Sequence, residues 1–405
     1  MRDFTLYWTA RTVSFVGDGF MFVALPWQVY ELSNSPSAMG LVGALQTASI
    51  LAFVLFGGVA SDRFERKRVI VVADVARSLA AGAIGVLAIT GDLLLWHVCV
   101  MAVVFGLAQA FAGPAFGSIV PQLVPDELLV QANSALFTVN PLTLRFAGPA
   151  LGGLTIAAFG TGAAFLVDAA SFLVGAVAIA LISARPAARL LEEGDHRTVL
   201  QDIRESFRYI RGKTWLWGTL GWSLLVLPLA WAPWEVLLPY LIKNELGGDA
   251  RDVGFVFAAG GASSVLMALA LSQVRIPRRH MAFMYAMFGF GAFDLLLYSL
   301  TQAPWQAMVV AFLTECGWMA GTIVWNTLVQ KAVPSEMLGR VRSVDWLAAI
   351  GLVPLSFAVI GPVAAWVGVR PVLAVCGLGG IALSVAAFLL PGMRETEGKI
   401  SLASV

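Results

Sequence analysis

The sequence predicts an all-α membrane protein: twelve transmembrane helices arranged as two pseudo-symmetric six-helix bundles. Three observations carry that expectation. Hydrophobic residues make up 59% of the 405 and charged ones only 13%, a composition outside the soluble range. Apolar stretches of the length that crosses a bilayer, about 20 residues, occur twelve times, and one long polar stretch divides them six from six.

The first span covers 8–31. It follows Arg2 without the short apolar region and small-residue cleavage site of a removable leader, so it reads as retained. Spans 2 to 6 fall at 38–60, 69–90, 94–116, 133–158 and 162–183, completing an N-terminal bundle over 1–183. The polar break is 184–213. Within it Thr198 and Gln201 have capping-box spacing, and Val199, Ile203, Phe207 and Ile210 share a face opposite Arg204, Arg208 and Arg211. An amphipathic helix on the inner membrane surface is expected there, acting as a tether with a solvated basic face. Spans 7 to 12 follow at 214–241, 252–274, 281–301, 304–328, 344–367 and 370–391, the C-terminal bundle over 214–391, and 392–405 is a cytoplasmic tail.

Charge placement orients the spans. With both termini in the cytoplasm, only Lys243, Arg251 and Arg370 fall on the far side and Arg11, Arg77 and Arg145 within spans; the other 20 of 26 basic residues face inward. The two halves also echo each other. VPQLVPDELLVQANSA (120–135) aligns with VQKAVPSEMLGRVRSV (329–344), and each leads into a span holding Gly-Pro, Gly148-Pro149 and Gly361-Pro362. A duplicated six-helix unit of this kind belongs to transporters whose halves rock about a midplane site.

Several function classes drop out. A net charge of +1 gives no reason to expect nucleic acid. Cys99, Cys316 and Cys376 lie in apolar segments, which suggests neither a disulfide framework nor a zinc site. Gly212-Lys213-Thr214 lacks the upstream glycine of a phosphate loop, so ATP coupling is not expected. His97, His196 and His280 sit at span ends or in a loop, and there is no HExxH or GxSxG element, so an enzyme is not expected either.

Between spans 2 and 3 runs GVASDRFERKRVIVVAD (58–74). Asp62, at the C-terminal end of its helix, opposes the helix dipole and needs a partner: the local Arg63, Arg66, Lys67 and Arg68, or the amide end of another span near Ser343. This loop resembles the G-x-L-a-D-R-x-G-R-K signature of the major facilitator superfamily. Gly58, Asp62, Arg63, Arg66 and Lys67 match; Ala60 replaces the leucine and Glu65 the second glycine. With the GDG and ALPW elements of span 1, the wording is similar to the drug and siderophore exporter branch. The resemblance implies a cytoplasmic latch at Gly58, Asp62, Arg63 and Arg66, with Asp74 and Arg77 pairing with each other or completing it. GPALGG (148–153) resembles the antiporter element of span 5. Pro149 there loosens the helix, and Gly148, Gly152 and Gly153 permit close packing.

Ionisable groups deep in a span are costly, which makes each a functional-site expectation. At 1.5 Å per residue, Asp18 lies roughly 15 Å into span 1 and Arg145 roughly 18 Å into span 5, so the two can meet, either as a proton-coupling pair that proton binding changes during the cycle or as a permanent pair that fixes helix packing. Glu315, about 16 Å into span 10, is the leading proton site, since the resemblance makes span 10 a cavity-lining helix. Asp294 is equally deep in span 9, but the same plan makes that span peripheral and a structural contact as good a reading. Asp168 and Glu235 lie nearer outer span ends, where either can reach water. Aromatic residues crowd span 7 as an interfacial belt. Trp222, with Trp318, Trp325 and Asn326 of span 10 and Glu235, is placed to line a substrate pocket. The resemblance thus implies a monomeric exporter in the bacterial inner membrane, exchanging a small amphipathic molecule for protons by alternating access. Its partners are that substrate, protons and lipid; no nucleic acid, metal or cofactor is expected. A siderophore or lysolipid is the alternative cargo, and a channel, sensor or intramembrane enzyme fits less well.

Overall fold

The computed structural model describes residues 2–183 and 207–400. Twelve helical spans appear among the described residues. In chain order they are α1 (Arg2–Leu32), α2 (Pro36–Arg63), α3 (Arg66–Thr90), α4 (Leu95–Ile119), α5 (129–159), α6 (Thr161–Ala180), α7 (Thr214–Glu245), α8 (Ala250–Gln273), α9 (His280–Tyr298), α10 (Pro304–Ala332), α11 (Glu336–Val367) and α12 (Val369–Phe388). Eleven are long and apolar enough to cross a membrane; α1 is long enough but carries Arg11 and Asp18. The chain is therefore a multi-pass membrane protein.

The packing repeats itself after six helices. In the first half α1 lies on α6, α2 on α4, and α3 on both α4 and α6. In the second α7 lies on α12, α8 on α10, and α9 on both α10 and α12. Two further contacts join the halves, α5 with α8 and α2 with α11, and they too exchange under the repeat. Both use glycine. A Cβ at Gly153 would lie 2.7 Å from the Ala250 carbonyl oxygen and 3.1 Å from the Gly254 Cα, while one at Gly254 would lie 2.5 Å from the Pro149 carbonyl. At the other seam Gly361 meets the backbone of Pro36 and Ser37, and Gly40 meets the Phe357 carbonyl. Small residues at such crossings let dispersion contacts act where lipid offers no hydrophobic drive.

All these contacts belong to the face opposite the termini. That face is also tied by the Tyr30 hydroxyl, which donates to the Val236 carbonyl, by Tyr30 stacked edge-on to Tyr240 at 5.4 Å, and by Lys243 over the Trp27 ring at 5.1 Å. Toward the termini face, extensive packing between the halves among the described residues stops at Arg145 and Gly261. Beyond that depth Leu55, Phe56 and Val59 of α2 and Leu266 and Leu269 of α8 are exposed.

Two spans depart from regular helix. Expected as one helix over 133–158, α5 consists of Leu129–Asn140, a π-helical turn Pro141–Ala147, and Gly148–Phe159. Pro149 cannot donate to the Arg145 carbonyl one turn back, and the helix widens there, with the Gly148 N–H reaching back to Thr143. α7 has two such turns, Pro233–Leu237 and Leu241–Glu245. The surface helix expected in 184–213 falls outside the described residues up to 206; residues 207–211 are helical. The tail is docked as far as it is described: Met393 is fully buried against Gly218, His280 Nε2 lies 2.9 Å from Thr396 Oγ1, and the Ala282 N–H donates to Glu397 at 3.0 Å.

Candidate functional site

A cavity of about 290 Å³ lies between the halves where α5, α7, α8, α9 and α10 converge. Its walls are mainly apolar and aromatic: Phe22 from α1, Trp231 and Trp234 from α7, Phe257 from α8, Trp318 from α10. Three charged groups enter it, Arg145, Asp294 and Glu315. Apolar walls with a few convergent polar groups are the usual make-up of a small-molecule site.

Local sequence explains each charge. The widened turn of α5 carries Arg145. Opposite it, Gly261 on α8 faces the Arg145 carbonyl so closely that any side chain would overlap it. One residue earlier, Gly260 makes room for Glu315, whose Cγ would sit 2.8 Å from a Cβ there. Arg145 is the cation in electrostatic range of Glu315. Charges from the two halves therefore oppose each other at the level where the halves part.

Asp294, for which the sequence leaves a structural contact and a functional site equally open, lines the cavity within range of Glu315. Gly317 of α10 packs on the Met287 carbonyl, where a Cβ would lie at 2.5 Å, and Gly291 packs on Trp318, so α9 is drawn inward. The glycine one turn before Asp294 was the legible signal.

The remaining expected site residues are dispersed. Asp18 has Arg77 and Arg11 as its charged neighbours, in a cluster inside the first half, while Arg145 is opposed to Glu315. Trp222 is buried in the second half's core, donating to Ser384 at 3.0 Å and packed on Phe288 at 4.5 Å. Trp325 is also buried and donates to the Asp345 carboxylate, and Asn326 accepts from Arg342 at 2.6 Å, so both serve the α10–α11 junction. Glu235, in the π-turn of α7, accepts from Trp231 at 2.9 Å. Asp168, expected near water, has no exposed surface. Gly17 has no side chain to hold α1 away from it: a Cβ there would lie 2.7 Å from Asp168 Oδ1.

At the termini face, Arg66 donates to the Ser118 carbonyl at 2.7 Å and Lys67 to the Ile182 carbonyl at 2.6 Å, cations at the C-terminal ends of α4 and α6. Gly58 faces open space and Arg63 is exposed; the Asp62 side chain lies outside the described ones. Asp74 and Arg77 pair at 3.6 Å, and Arg77 also donates to Gln109 at 3.0 Å. Gly148 and Gly152 pack on the α1 backbone at Gly19 and Phe20, so GPALGG wedges α5 between α1 and α8.

Comparison with known proteins agrees with this architecture. A family model described as transmembrane secretion effector matches residues 1–404. The multidrug efflux pump Tap of Mycobacterium tuberculosis is 27% identical over 399 residues, covering 96% of this chain and 93% of its own. The enterobactin exporter EntS of Shigella flexneri is 25% identical, covering 85% and 80%. Among solved structures, the nucleoside transporter NupG superposes with a TM-score of 0.71 at 11% identity, covering 94% of this chain and 98% of its own. A bacterial homologue of the lysosomal transporter Spinster, in an inward-facing and unoccupied conformation, gives 0.66 at 15% identity, covering 98% and 97%.

Proposed function

The chain belongs to the transmembrane secretion effector family, a branch of the major facilitator superfamily that includes drug and siderophore exporters, and from that premise we propose that it exports a small amphipathic molecule in exchange for protons. One observation carries the reading. The cavity is built from both halves, closed on the face opposite the termini, and sets Arg145 against Glu315 among aromatic walls.

On this reading the termini lie in the cytoplasm of a bacterial inner membrane, an orientation that the distribution of basic residues supports, and the cavity is entered from inside. An amphipathic molecule lays its apolar body on Trp231, Trp234 and Trp318. Glu315 holds the proton when the cavity is empty; a cationic cargo is held best by the ionised carboxylate, so its arrival expels the proton. Closing the termini face then brings the latch loop at Gly58, Asp62, Arg63 and Arg66 against the second half, with Asp74 and Arg77 behind it. The glycine seams of α5–α8 and α2–α11 open in turn.

Protein in liposomes, with ethidium as probe, is expected to accumulate dye against an imposed pH gradient, and Glu315→Gln to abolish that accumulation while folding normally. Dye movement indifferent to the gradient removes the exchange; full activity of the variant removes Glu315 as the proton carrier. A siderophore is the second cargo reading, supported by the enterobactin exporter among the relatives. A growth panel of drugs against iron limitation separates the two.

A further inference from the structure

A second set of buried charges lies away from the central cavity, inside the first half. On α6, Asp168, Ser171, Phe172 and Gly175 share one face. α1 meets that face at Ser14 and Gly17, and α3 meets it at Asp74 and Arg77. A Cβ at Gly175 would lie 2.8 Å from Ser14 Oγ and 3.6 Å from Asp74 Oδ2, and the Arg77 guanidinium stands 5.3 Å from the Phe172 ring. Asp168, Asp74 and Arg77 are 0%, 2% and 5% exposed. Arg11 completes the set from α1, its guanidinium held 4.1 Å from the Phe15 and Phe116 rings.

The partners are unevenly shared. Arg77 bonds Gln109 of α4 and pairs with Asp74; Arg11 and Arg77 are the cations nearest Asp18. Both oxygens of Asp168 are buried without a hydrogen-bond partner; of the two charges in range of it, the Asp18 carboxylate acts more strongly than the Arg77 guanidinium, which Asp74 and Asp18 also share. Tyr7, which donates to the Phe116 carbonyl at 3.2 Å, adds no charge at neutral pH. The Gly148–Phe159 segment of α5, which also touches α6, carries none.

Three carboxyl groups therefore face two guanidinium groups. Such a set is neutral only with one proton added; Arg11 and Asp18 are half-buried, so an unpaired charge is costliest on Asp168, which has no exposed surface. We propose that the first half carries its own proton-binding site, separate from the cavity, with the proton resident on Asp168 between α1 and α6. The site rests on the exchange reading above, giving it a second proton position: sliding of α1 along α6 at Gly17 uncovers Asp168 and releases the proton. The titration belongs to the cluster, so removing any one of its carboxyls removes the need for the proton.

Infrared spectroscopy of the full chain in liposomes tests this without any cargo. With isotope-labelled aspartate, the wild-type protein at neutral pH is expected to show a protonated aspartic acid band that shifts with the label. That band is lost in Asp168→Asn and retained in Glu315→Gln. Asp18→Asn, which also balances the cluster, is expected to lose it too and decides the matter if Asp168→Asn does not fold. Persistence of the band in whichever of those two variants folds overturns the proposal, as does its absence from the wild type or its appearance only when sodium is withdrawn. Failure of dye transport to follow a pH gradient would leave the band in place, so the two readings fail separately.

Discussion

Trp222 and Trp318 stand 6.4 Å apart, ring to ring, yet they belong to different environments. Trp318 borders the cavity; Trp222 fills the core among Tyr285, Phe288 and Ser384. Truncating Trp222 to alanine is expected to cost about 3 kcal/mol of stability, seen as a lowered melting temperature. Trp318→Ala is expected to leave melting closer to wild type and weaken dye transport instead. Depth along a span was legible for both residues from the sequence. Direction around the helix was not, because one residue of rotation turns a side chain about 100° and only packing settles it. Asp249 offers a residue-level pH test. As N-cap of α8 it accepts from the backbone of Arg251 and Asp252, and the Arg251 guanidinium holds its carboxyl below the usual aspartate range. Its stabilisation is therefore complete above that ordinary range and lost as pH falls through the depressed value. Asp249→Ala is expected to cost about 1 kcal/mol near neutrality and to melt like the wild type in strong acid, a comparison made by thermal scans at several pH values.

Among elements, α5 shows most clearly what periodicity hides. Its apolar run reads as one span, and Gly148-Pro149 announces a weak point, but the widened turn lies before the proline, where the missing N–H is felt one turn back. That turn presents Arg145 to α8, and Gly254 and Gly261 accept the approach. Gly254→Val is expected to wedge α5 from α8 on the face opposite the termini. Spin labels at the exposed Asn34 and Asn244 should then report a longer separation than in the wild type. An unchanged distance would mean that the seam adjusts elsewhere. The partners of such glycines lie a hundred residues away in the chain, so their purpose was visible only as a permission for close packing, never as an address.

At the scale of the molecule, the halves touch on one face and part on the other. A cysteine at Thr322, exposed on the cavity wall, should react with a membrane-impermeant thiol reagent applied from the termini side and resist it from the opposite side. Equal labelling from both sides would describe a pore. By itself the sequence determined the solvent the chain folds in, the twelve spans, the duplication, and the scarce charges that lipid would not tolerate idly. Those follow from composition, length and local pattern, each settled within a window of some twenty residues. Only tertiary structure decided which charges meet. Arg145 comes within electrostatic range of Glu315, and Asp18 within range of Arg11 and Arg77, because glycines on distant helices set how closely backbones approach, and electrostatic interaction depends on a few ångströms that no linear spacing encodes.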